Sequence, residues 1–443
     1  MERPFLLLRY TAVRENEARR FASAFGWDHV LALVDAPPPA IAGDMVIAAA
    51  PRDFSSLEAD ILRDALEDHR HHRAALTVPN ATFTPWTAFH IGRNDAFSAP
   101  GEWIVNRYVP PLNLTRRYPE AFAALFRSRI PGPVLALAEQ CNLRCIMCPF
   151  NGSDIPESLI AYYRAYSDLR KGKDFISLDD LRSMLDLLAS RFVGMRSISF
   201  FGPGEPFRHP RIFDILDECS RRNMAVTFTT NGTLLDETVV DRLLGYERLT
   251  MTISLDAVSP ATYRAIRRAD LGRVSGSIDR MLDRRSRPDQ VRILVSFIRQ
   301  PVNEKEEDAF AAQWLHRADE VLVASRYYAG RPDYQPEWTP RGLLPCAHLE
   351  NSLHVLTDGE AWGCSAGTPD EFAFGNIFSH GLDAVLNARV EYASRRAATG
   401  AARDICRECM WWRQTQHREI WRDGRLTEVR RPYSYRLINP GNN

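Results

Sequence analysis

Residues 139–150 read EQCNLRCIMCPF and place three cysteines, Cys141, Cys145 and Cys148, within eight positions. A closed structural metal site takes four protein ligands. A loop with three thiols therefore needs either a distant fourth ligand or a reason to leave one position open. A zinc site completed by a distant histidine and three unrelated thiols are the two alternatives on these residues alone. Zinc sites usually carry paired C-x2-C spacings, which weakens the zinc interpretation.

The cysteine loop follows the first of six predicted strands that alternate with helical runs. Apolar, β-branched strands separated by helices predict a parallel sheet built from β/α units. One helical run, SLDDLRSMLDLLASRF, begins with Ser177 and Asp180 in a capping-box spacing. Six units favour an open barrel over a closed eight-fold one. The strand candidates, in chain order, are PVLALAE, SISFFG, AVTFTTNG, LTMTISLD, VRILVSFI and EVLVASRYY.

Polar motifs also follow the next three strands. GPGEP (202–206) comes after the second strand, TTNG (229–232) ends the third, and SLD (254–256) ends the fourth. In parallel β/α barrels the carboxyl ends of the strands meet at one rim, where catalytic groups converge. Four such motifs in succession predict an active-site rim.

On these motifs the chain resembles the radical S-adenosylmethionine (radical SAM) superfamily. That family carries C-x3-C-x2-C after the first barrel strand, matched by Cys141, Cys145 and Cys148, and a Gly-Gly-Glu-Pro-like motif after the second. Here Pro203 replaces one glycine of that motif. The resemblance implies an α/β fold: a partial (β/α)6 TIM-like barrel with an N-terminal α/β extension and a small C-terminal Fe–S cluster domain.

The resemblance also implies the cofactors. Three thiolates would hold a 4Fe-4S cluster with one open iron, because a cubane takes one thiolate per iron, and S-adenosyl-L-methionine (SAM) would bind that iron. In this family an electron from the cluster cleaves SAM to a 5′-deoxyadenosyl radical, which abstracts hydrogen from a substrate. The implied cofactor-binding residues are Gly202, Gly204, Glu205, Pro206, Asn231 and Ser254.

Several residues near these motifs have two interpretations. Asn231, with the glycine after it, is either a cleft residue or a strand-to-helix turn, since Asn and Gly adopt left-handed backbone conformations readily. Asp256 is a helix N-cap or a substrate ligand, and we favour the cap. Met147 and Phe150 either shield the cluster or belong to the core. No residue is assigned as a substrate acid, base or hydrogen donor.

The C-terminal cysteines have a spacing of their own. The segment CAHLENSLHVLTDGEAWGC carries the first two of four, CREC carries the others, and FGNI lies between them. This resembles the auxiliary-cluster domain called SPASM, in its shortened twitch form, and implies a second 4Fe-4S cluster for electron transfer. A structural zinc site is the alternative. The Asp-Gly turn in LHVLTDGEAWGC predicts a hairpin. The implied metal ligands are Cys346, Cys364, Cys406 and Cys409.

Two further expectations concern single residues. Cys219 lies within an amphipathic helical run and is predicted to be a buried apolar thiol. Trp411 and Trp412 follow the last cysteine and are expected to pack over the second cluster.

The bulk composition excludes several classes of protein. Among 443 residues, 45% are apolar and 25% are charged, and the 56 Lys and Arg balance the 56 Asp and Glu. A net charge of zero gives no general attraction to nucleic acid or to a membrane surface, and no apolar stretch is long enough to span a bilayer. We expect a cytoplasmic protein. Eight cysteines, mostly in spaced clusters, favour metal over disulfides there.

We expect three domains: residues 1–130 as an N-terminal α/β accessory domain of unknown role, 131–335 as the radical SAM barrel, and 336–443 as the auxiliary-cluster domain and tail. For the accessory domain, a likeness to the latter half of a sugar nucleotidyltransferase, a peptide-recognition domain and a packing role are open alternatives. The segment SSLEADILRDALEDHRHH within it predicts a helix.

The four-cysteine domain points to the reaction. Among relatives, this short form is associated with dehydrogenation or epimerisation of a sugar or aminocyclitol, and we favour that small-molecule substrate. A maturase that modifies a ribosomally synthesised peptide is the alternative enzyme. A non-catalytic zinc-binding structural protein is the alternative outside enzymes. The resemblance implies a reducing partner such as flavodoxin or ferredoxin.

Overall fold

The computed structural model describes most of the barrel and parts of the flanking segments. The described residues are 5–9, 30–32, 44–50, 76–78, 87–92, 102–108, 132–150, 152–157, 160, 168, 172–192, 195–328, 331–332, 334, 352–362, 373–399, 409, 417–422 and 425–439.

Six strands are described in the first 130 residues. Strand β1 pairs in parallel with β2 and antiparallel with β3, and β5 pairs antiparallel with β3, β4 and β6. The predicted helix SSLEADILRDALEDHRHH lies outside the described residues. The bounds are β1 Phe5–Arg9, β2 Val30–Ala32, β3 Asp44–Ala50, β4 Leu76–Val78, β5 Thr87–Gly92 and β6 Glu102–Tyr108.

The next six strands form the predicted parallel sheet. Each pairs in parallel with the next along the chain, which confirms all six strand candidates and the partial barrel. Strand β11 is buried along most of its length, as expected of a strand covered on both faces. The bounds are β7 Gly132–Leu135, β8 Ser197–Phe200, β9 Ala225–Thr230, β10 Leu249–Ser254, β11 Val291–Arg299 and β12 Glu320–Ser325.

Helices with one apolar face pack on this sheet. The Ser177 side chain accepts the Asp180 amide at the start of α1, so the predicted cap is confirmed. Two short 3-10 helices, Pro206–Arg208 and Glu304–Glu306, follow β8 and β11. The helix bounds are α1 Leu178–Arg191, α2 Ile212–Arg221, α3 Glu237–Leu244, α4 Pro260–Arg267, α5 Leu271–Arg284, α6 Glu307–Leu315 and α7 Leu382–Thr399.

The core lies between the sheet and these helices. Met251 and Ile253 of β10, Phe297 of β11 and Phe310 of α6 are fully buried.

None of the described helices has the length and apolarity that crossing a membrane requires.

Strands from the C-terminal part of the chain continue the sheet at both edges of the barrel. Strand β15 pairs in parallel with β7, and β20 pairs antiparallel with β12, so the barrel does not close on itself. Strand β18 pairs with β6, which joins the tail to the N-terminal strands. The bounds are β13 Tyr327–Tyr328, β14 Arg331–Pro332, β15 Ser352–Val355, β16 Glu360–Trp362, β17 Ala373–Asn376, β18 His417–Arg422, β19 Arg425–Arg431 and β20 Ser434–Ile438.

Candidate active site

The GPGEP loop lies directly against the chain that leaves β7. The Gly204 amide donates to the Ala138 carbonyl at 3.1 Å, and the Glu205 amide donates to the Gln140 carbonyl at 2.9 Å. A β-carbon on Gly204 would lie 2.5 Å from the Ala138 carbonyl oxygen and closer still to that of Gln140. The backbone contact therefore requires glycine at this position.

The two ends of the same loop are also fixed. A β-carbon on Gly202 would meet the Ala136 β-carbon at 2.8 Å. Pro206 is buried and begins the 3-10 helix, for which Glu205 is the N-cap and accepts the Phe207 amide at 3.2 Å. The loop is thus held along its whole length beside the segment that leads into the cysteines.

Tight turns bring the three cysteines of the 141–148 loop close together. The Cys148 amide donates to the Cys145 carbonyl at 3.0 Å, and the Gly152 amide donates to the Cys148 carbonyl at 2.7 Å. The Leu143 amide donates to Cys141 Sγ at 3.4 Å. None of the three thiols is in a disulfide, and Cys145 is the most buried of them.

Burial and neighbouring negative charges act on this thiol set. Burial raises the pKa of Cys141, the Leu143 amide partly offsets that, and the charges of Glu205, Cys145 and Cys148 raise it further. Three thiolates at this spacing repel one another unless a cation is bound between them. The electrostatics therefore favour a metal-bound state of the loop.

The donor set fits an iron–sulfur cluster. A cubane binds each thiolate at a different iron, so its ligands surround the whole cluster instead of a single ion. Cys141, Cys145 and Cys148 of the one loop supply three such thiolates and would leave one iron for another ligand.

Asn231, at the end of β9, binds the cysteine loop. Its side-chain amide donates to Asn142 Oδ1 at 2.9 Å and lies 3.7 Å from Cys141 Sγ, while Thr233 donates to its oxygen. Gly232 has a φ of +75°, so the turn interpretation of this pair is confirmed, and the Asn231 side chain lies beside the cysteine loop. The part played by Asn142 was not predicted, since a polar residue between cysteines carries no pattern of its own.

The Glu205 carboxylate is occupied by partners inside the protein. Oε1 accepts from the Thr230 hydroxyl at 2.6 Å, and Oε2 accepts from the Asn231 amide at 2.8 Å. Burial raises the pKa of Glu205, although these hydrogen bonds act in the opposite direction. The carboxylate ties β8 to β9, and the loop backbone is the part of GPGEP left to face a ligand.

Ser254 and Asp256 lie at the end of β10. Ser254 is buried beside Ser296 of β11. The prediction that Asp256 caps the following helix is wrong, because Ser259 is the N-cap of α4 and accepts the Thr262 amide at 3.2 Å. Asp256 adopts a φ of +63° and points into the protein.

Asp256 instead holds an arginine from the far end of α4. Its carboxylate accepts the Ile298 amide at 2.6 Å and Arg267 Nε at 2.6 Å, and a guanidinium nitrogen of Arg267 lies 3.6 Å from Cys145 Sγ. Burial alone would lower the pKa of Arg267, but the charges of Asp256 and Cys145 outweigh it and raise the pKa. Sequence patterns gave no signal for this arginine.

Tyr263 lies one helical turn before that arginine. It is fully buried, and among the described residues its hydroxyl has no hydrogen-bond partner. Burial raises the pKa of Tyr263 to about 12, and charges on Arg267, Asp256 and Cys145 also act on it. The phenol is therefore a protonated donor beside the cysteine loop.

Two arginines lie at the carboxyl ends of β11 and β12. Arg299 binds Glu307 through two nitrogens at 2.5 and 2.6 Å, and Arg326 binds Asp154, which follows the cysteine loop. The Arg326 amide donates to the Arg299 carbonyl at 3.2 Å, so the two are neighbours on the barrel rim. Both were missed, since isolated arginines at strand ends carry no motif.

The second cysteine region is described in part. The predicted hairpin is confirmed: β15 and β16 pair antiparallel around a turn in which Gly359 has a φ of +87°. Cys409 is buried. The other residues of this prediction lie outside the described residues: Cys346, Cys364, Cys406, Trp411 and Trp412.

Hydrophobic contacts link the hairpin to the first cysteine loop. Phe150 packs against a small buried cluster of Ala136, Leu356 and Trp362. Trp362 ends β16, so this cluster joins the two cysteine-bearing parts of the chain. Cys219 is a buried thiol of α2, as predicted.

Comparison with protein families identifies two regions. A model of the radical SAM superfamily matches residues 136–309, and a model of SPASM, an iron–sulfur cluster-binding domain, matches residues 346–410. The first region contains the cysteine loop, GPGEP and both ends of the Asp256–Arg267 pair. The second contains all four C-terminal cysteines.

Curated relatives match part of the chain. The tungsten-containing aldehyde ferredoxin oxidoreductase cofactor-modifying protein of Pyrococcus furiosus is 32% identical over 109 residues, which are 25% of this chain and 26% of that protein. The antilisterial bacteriocin subtilosin biosynthesis protein AlbA of Bacillus subtilis is 28% identical over 132 residues, 30% of this chain and 25% of that protein. The chain spans about a quarter of the length of these relatives.

Among solved structures, Streptococcus suis SuiB bound to the precursor peptide SuiA is similar, with a TM-score of 0.47 and 14% identity over 80% of this chain and 83% of that one. The six-stranded parallel sheet, the cysteine loop and the two family matches lead to one conclusion. The chain contains a radical SAM domain followed by a SPASM iron–sulfur cluster-binding domain, and these two domains imply 4Fe-4S clusters and SAM as its cofactors.

Proposed function

We propose that this chain is an enzyme that reductively cleaves SAM at a cluster held by Cys141, Cys145 and Cys148. One observation carries the proposal: the ends of β7, β8 and β9 converge on the cysteine loop. GPGEP hydrogen-bonds to the chain leading into the loop, and Asn231 binds the loop itself. When bound, the cluster and SAM supply a 5′-deoxyadenosyl radical, and the protein's own groups do the positioning.

In this proposal each strand end has a separate task. The three thiolates hold the cluster, and the backbone of Gly202, Gly204 and Pro206 offers its polar groups to the methionine part of SAM. Glu205 keeps that backbone in place through β9, since its carboxylate already binds Thr230 and Asn231. Ser254, at the end of the next strand, is proposed to bind SAM as well.

The SPASM domain is proposed to hold the second cluster through Cys346, Cys364, Cys406 and Cys409. Four thiolates saturate one cubane, so its role is to move electrons rather than to bind substrate. The hairpin of β15 and β16 supports this arrangement, because its parallel pairing with β7 fixes it beside the first cysteine loop. A reducing partner such as flavodoxin or ferredoxin would supply the electron.

For the substrate, we propose a sugar or aminocyclitol that undergoes dehydrogenation or epimerisation. The rim of the barrel supports this choice, because Arg299, Arg326 and their carboxylate partners form a charged, hydrogen-bonding surface at adjacent strand ends. Hydroxyl and amino groups of a small polar ring bind such a surface through many short hydrogen bonds.

Peptide modification is the second candidate. The relative named for biosynthesis of the bacteriocin subtilosin supports it, since that relative is 28% identical to this chain over 132 residues. The two candidates separate by experiment. Deuterated aminocyclitols and sugars would be offered with SAM and reductant, and deuterium in the 5′-deoxyadenosine formed would identify a substrate. Transfer from deuterated peptides alone would favour the second candidate.

The test of the first step is a metal analysis of the full chain. After anaerobic reconstitution, we expect about eight irons per chain, and about four after Cys141, Cys145 and Cys148 are all changed to Ala. The parent should also release 5′-deoxyadenosine from SAM with dithionite, and the triple variant should not. Bound zinc in place of iron, or iron that does not depend on these cysteines, contradicts the proposal.

A further inference from the structure

Helix α4 is docked on the cysteine loop through its last turn. The Ile146 amide, between the second and third cysteines, donates to the Ile266 carbonyl at 2.9 Å. Arg268 donates to the Ser153 hydroxyl at 3.1 Å on the far side of the loop. Between these contacts, a guanidinium nitrogen of Arg267 lies 3.6 Å from Cys145 Sγ.

Asp256 fixes the orientation of the Arg267 side chain. Asp256 accepts its Nε at 2.6 Å and also binds a terminal nitrogen. Asp256 is itself held, because the Ile298 amide donates to its carboxylate at 2.6 Å and Asn303 donates to its carbonyl at 2.8 Å. The aspartate therefore has little freedom, and the guanidinium is aimed at the sulfur.

A buried ion pair does little for stability by itself, because removing two charges from water offsets their attraction. Arg267 and Asp256 are 8% and 0% exposed. Their placement is accounted for by the third partner, a cysteine whose sulfur accepts a charge-assisted hydrogen bond. Hydrogen bonds to the sulfurs are one of the means by which proteins set the reduction potential of iron–sulfur clusters.

We propose that Arg267 is a positioning residue of the first cluster, which orients Cys145 and raises the reduction potential of the cluster bound there. The inference rests on the proposed assignment of that cluster to the 141–148 loop. Reduction adds one electron and one negative charge at the cluster. A donor N–H on a ligand sulfur stabilises that added charge, so its removal makes reduction harder.

The experiment compares two buried arginine–aspartate pairs in the full, reconstituted chain. Arg267→Met removes the donor at Cys145. Arg285→Met is the matched control, because Arg285 pairs with Asp319 at side-chain exposures of 6% and 3% and donates to the Val291 carbonyl instead of a cysteine. The midpoint potential would be measured by redox titration, using the paramagnetic signal that changes when SAM is added.

We expect a more negative midpoint in Arg267→Met and the parent value in Arg285→Met. Arg267→Lys keeps the charge but not the planar guanidinium. Its midpoint potential should lie between those of Arg267→Met and the parent. If Arg267→Met loses iron, Asp256→Asn gives the decisive value: it keeps the arginine but frees it, and a shift of the same sign is expected.

The inference is overturned if the midpoint potential of Arg267→Met equals that of the parent. If Arg267→Met loses iron, an unchanged midpoint potential in Asp256→Asn overturns it instead. Equal shifts in Arg267→Met and Arg285→Met also overturn it, since any buried pair would then have the same effect. A parent protein whose iron does not depend on the three cysteines overturns the proposed function instead. The two failures are therefore distinguishable.

Discussion

The backbone of the GPGEP loop lies so close to the chain before the cysteines that there is no space for a methyl group at Gly204. Gly204→Ala would place a β-carbon 2.5 Å from the Ala138 carbonyl oxygen, and a main-chain atom cannot swing aside as a side chain can. We expect a loss of about 1–3 kcal/mol in the free energy of unfolding, with loss of SAM binding. Chemical denaturation and SAM titration would measure these.

Gly276→Ala is the control for that substitution. Gly276 is within α5, and a β-carbon there meets nothing within 4 Å. Alanine should stabilise the helix by roughly 0.5–1 kcal/mol and leave SAM binding unchanged. Similar losses in both variants would contradict the steric explanation at Gly204.

Tyr263 carries a buried hydroxyl with no partner among the described residues. Tyr263→Phe should therefore leave the cluster-free protein as stable as the parent, or stabilise it by up to about 1–3 kcal/mol, the cost of a buried polar group without a partner. Urea denaturation of the cluster-free protein is the measurement.

Tyr246→Phe is the comparison for Tyr263→Phe. The Tyr246 hydroxyl donates to Asp217 and, at 3.3 Å, to the Phe213 carbonyl. Its removal should lower the free energy of unfolding by about 1 kcal/mol. If Tyr263→Phe is the more destabilising of the two, the phenol has a partner in the cluster-free protein.

At the scale of an element, helix α4 is clamped at its first turn by a carboxylate from another segment. Glu306 accepts the Val258 amide at 2.6 Å, the Ser259 hydroxyl at 2.7 Å and the Thr262 hydroxyl at 2.6 Å. Burial raises the pKa of Glu306, but these hydrogen bonds outweigh it and hold the pKa below its ordinary value of 4.5. The ionised carboxylate thus stabilises the start of the helix that carries Arg267.

This clamp predicts a dependence of stability on pH. Below pH 4.5 the unfolded carboxyl takes up a proton before the folded one does, so the contribution of Glu306 is present above that pH and is lost as pH falls through the folded pKa. Glu306→Gln should lose about 1–3 kcal/mol at pH 7 and less at pH 3. Glu304→Gln, an exposed neighbour, should lose little at either pH. Equal losses of Glu306→Gln at both pH values would contradict the clamp.

The sequence predicted the strands, the helix cap and the hairpin turn. It did not predict which side chains distant in the chain would contact one another. All six barrel strands, the Ser177 cap and the Asp-Gly hairpin depend on local period and local turn chemistry, which a sequence displays. Asp256 was assigned wrongly because the nearby helix start offered a local partner. Its actual partner is an arginine at the other end of that helix.

On the scale of the whole molecule, the C-terminal tail protects an edge of the barrel. Strand β20 covers the edge of β12 that faces away from β11, and deletion of residues 434–443 would leave the amides and carbonyls on that edge unpaired. Exposed strand edges pair with other chains, so we expect self-association. Light scattering after size-exclusion chromatography would show it, and deletion of residues 441–443 is the control. A monomeric product of the longer deletion would contradict this.

Sequence reasoning placed the C-terminal cysteines in a domain of their own but did not find these pairings. Strands β15 and β20 are short, and nothing in their composition specifies that one lies parallel to β7 and the other antiparallel to β12. Partner choice between distant strands depends on which edges the finished barrel leaves open, which is a property of the fold.

The pairing of β6 with β18 has a consequence for how the protein is made. Strand β6 ends at Tyr108, and its partner begins at His417, some three hundred residues later. At about 5–20 residues per second, a ribosome exposes β6 for roughly 15–60 s before the partner is synthesised. During that interval one edge of the N-terminal sheet is open in the nascent chain, so this region should be a preferred binding site for chaperones during translation.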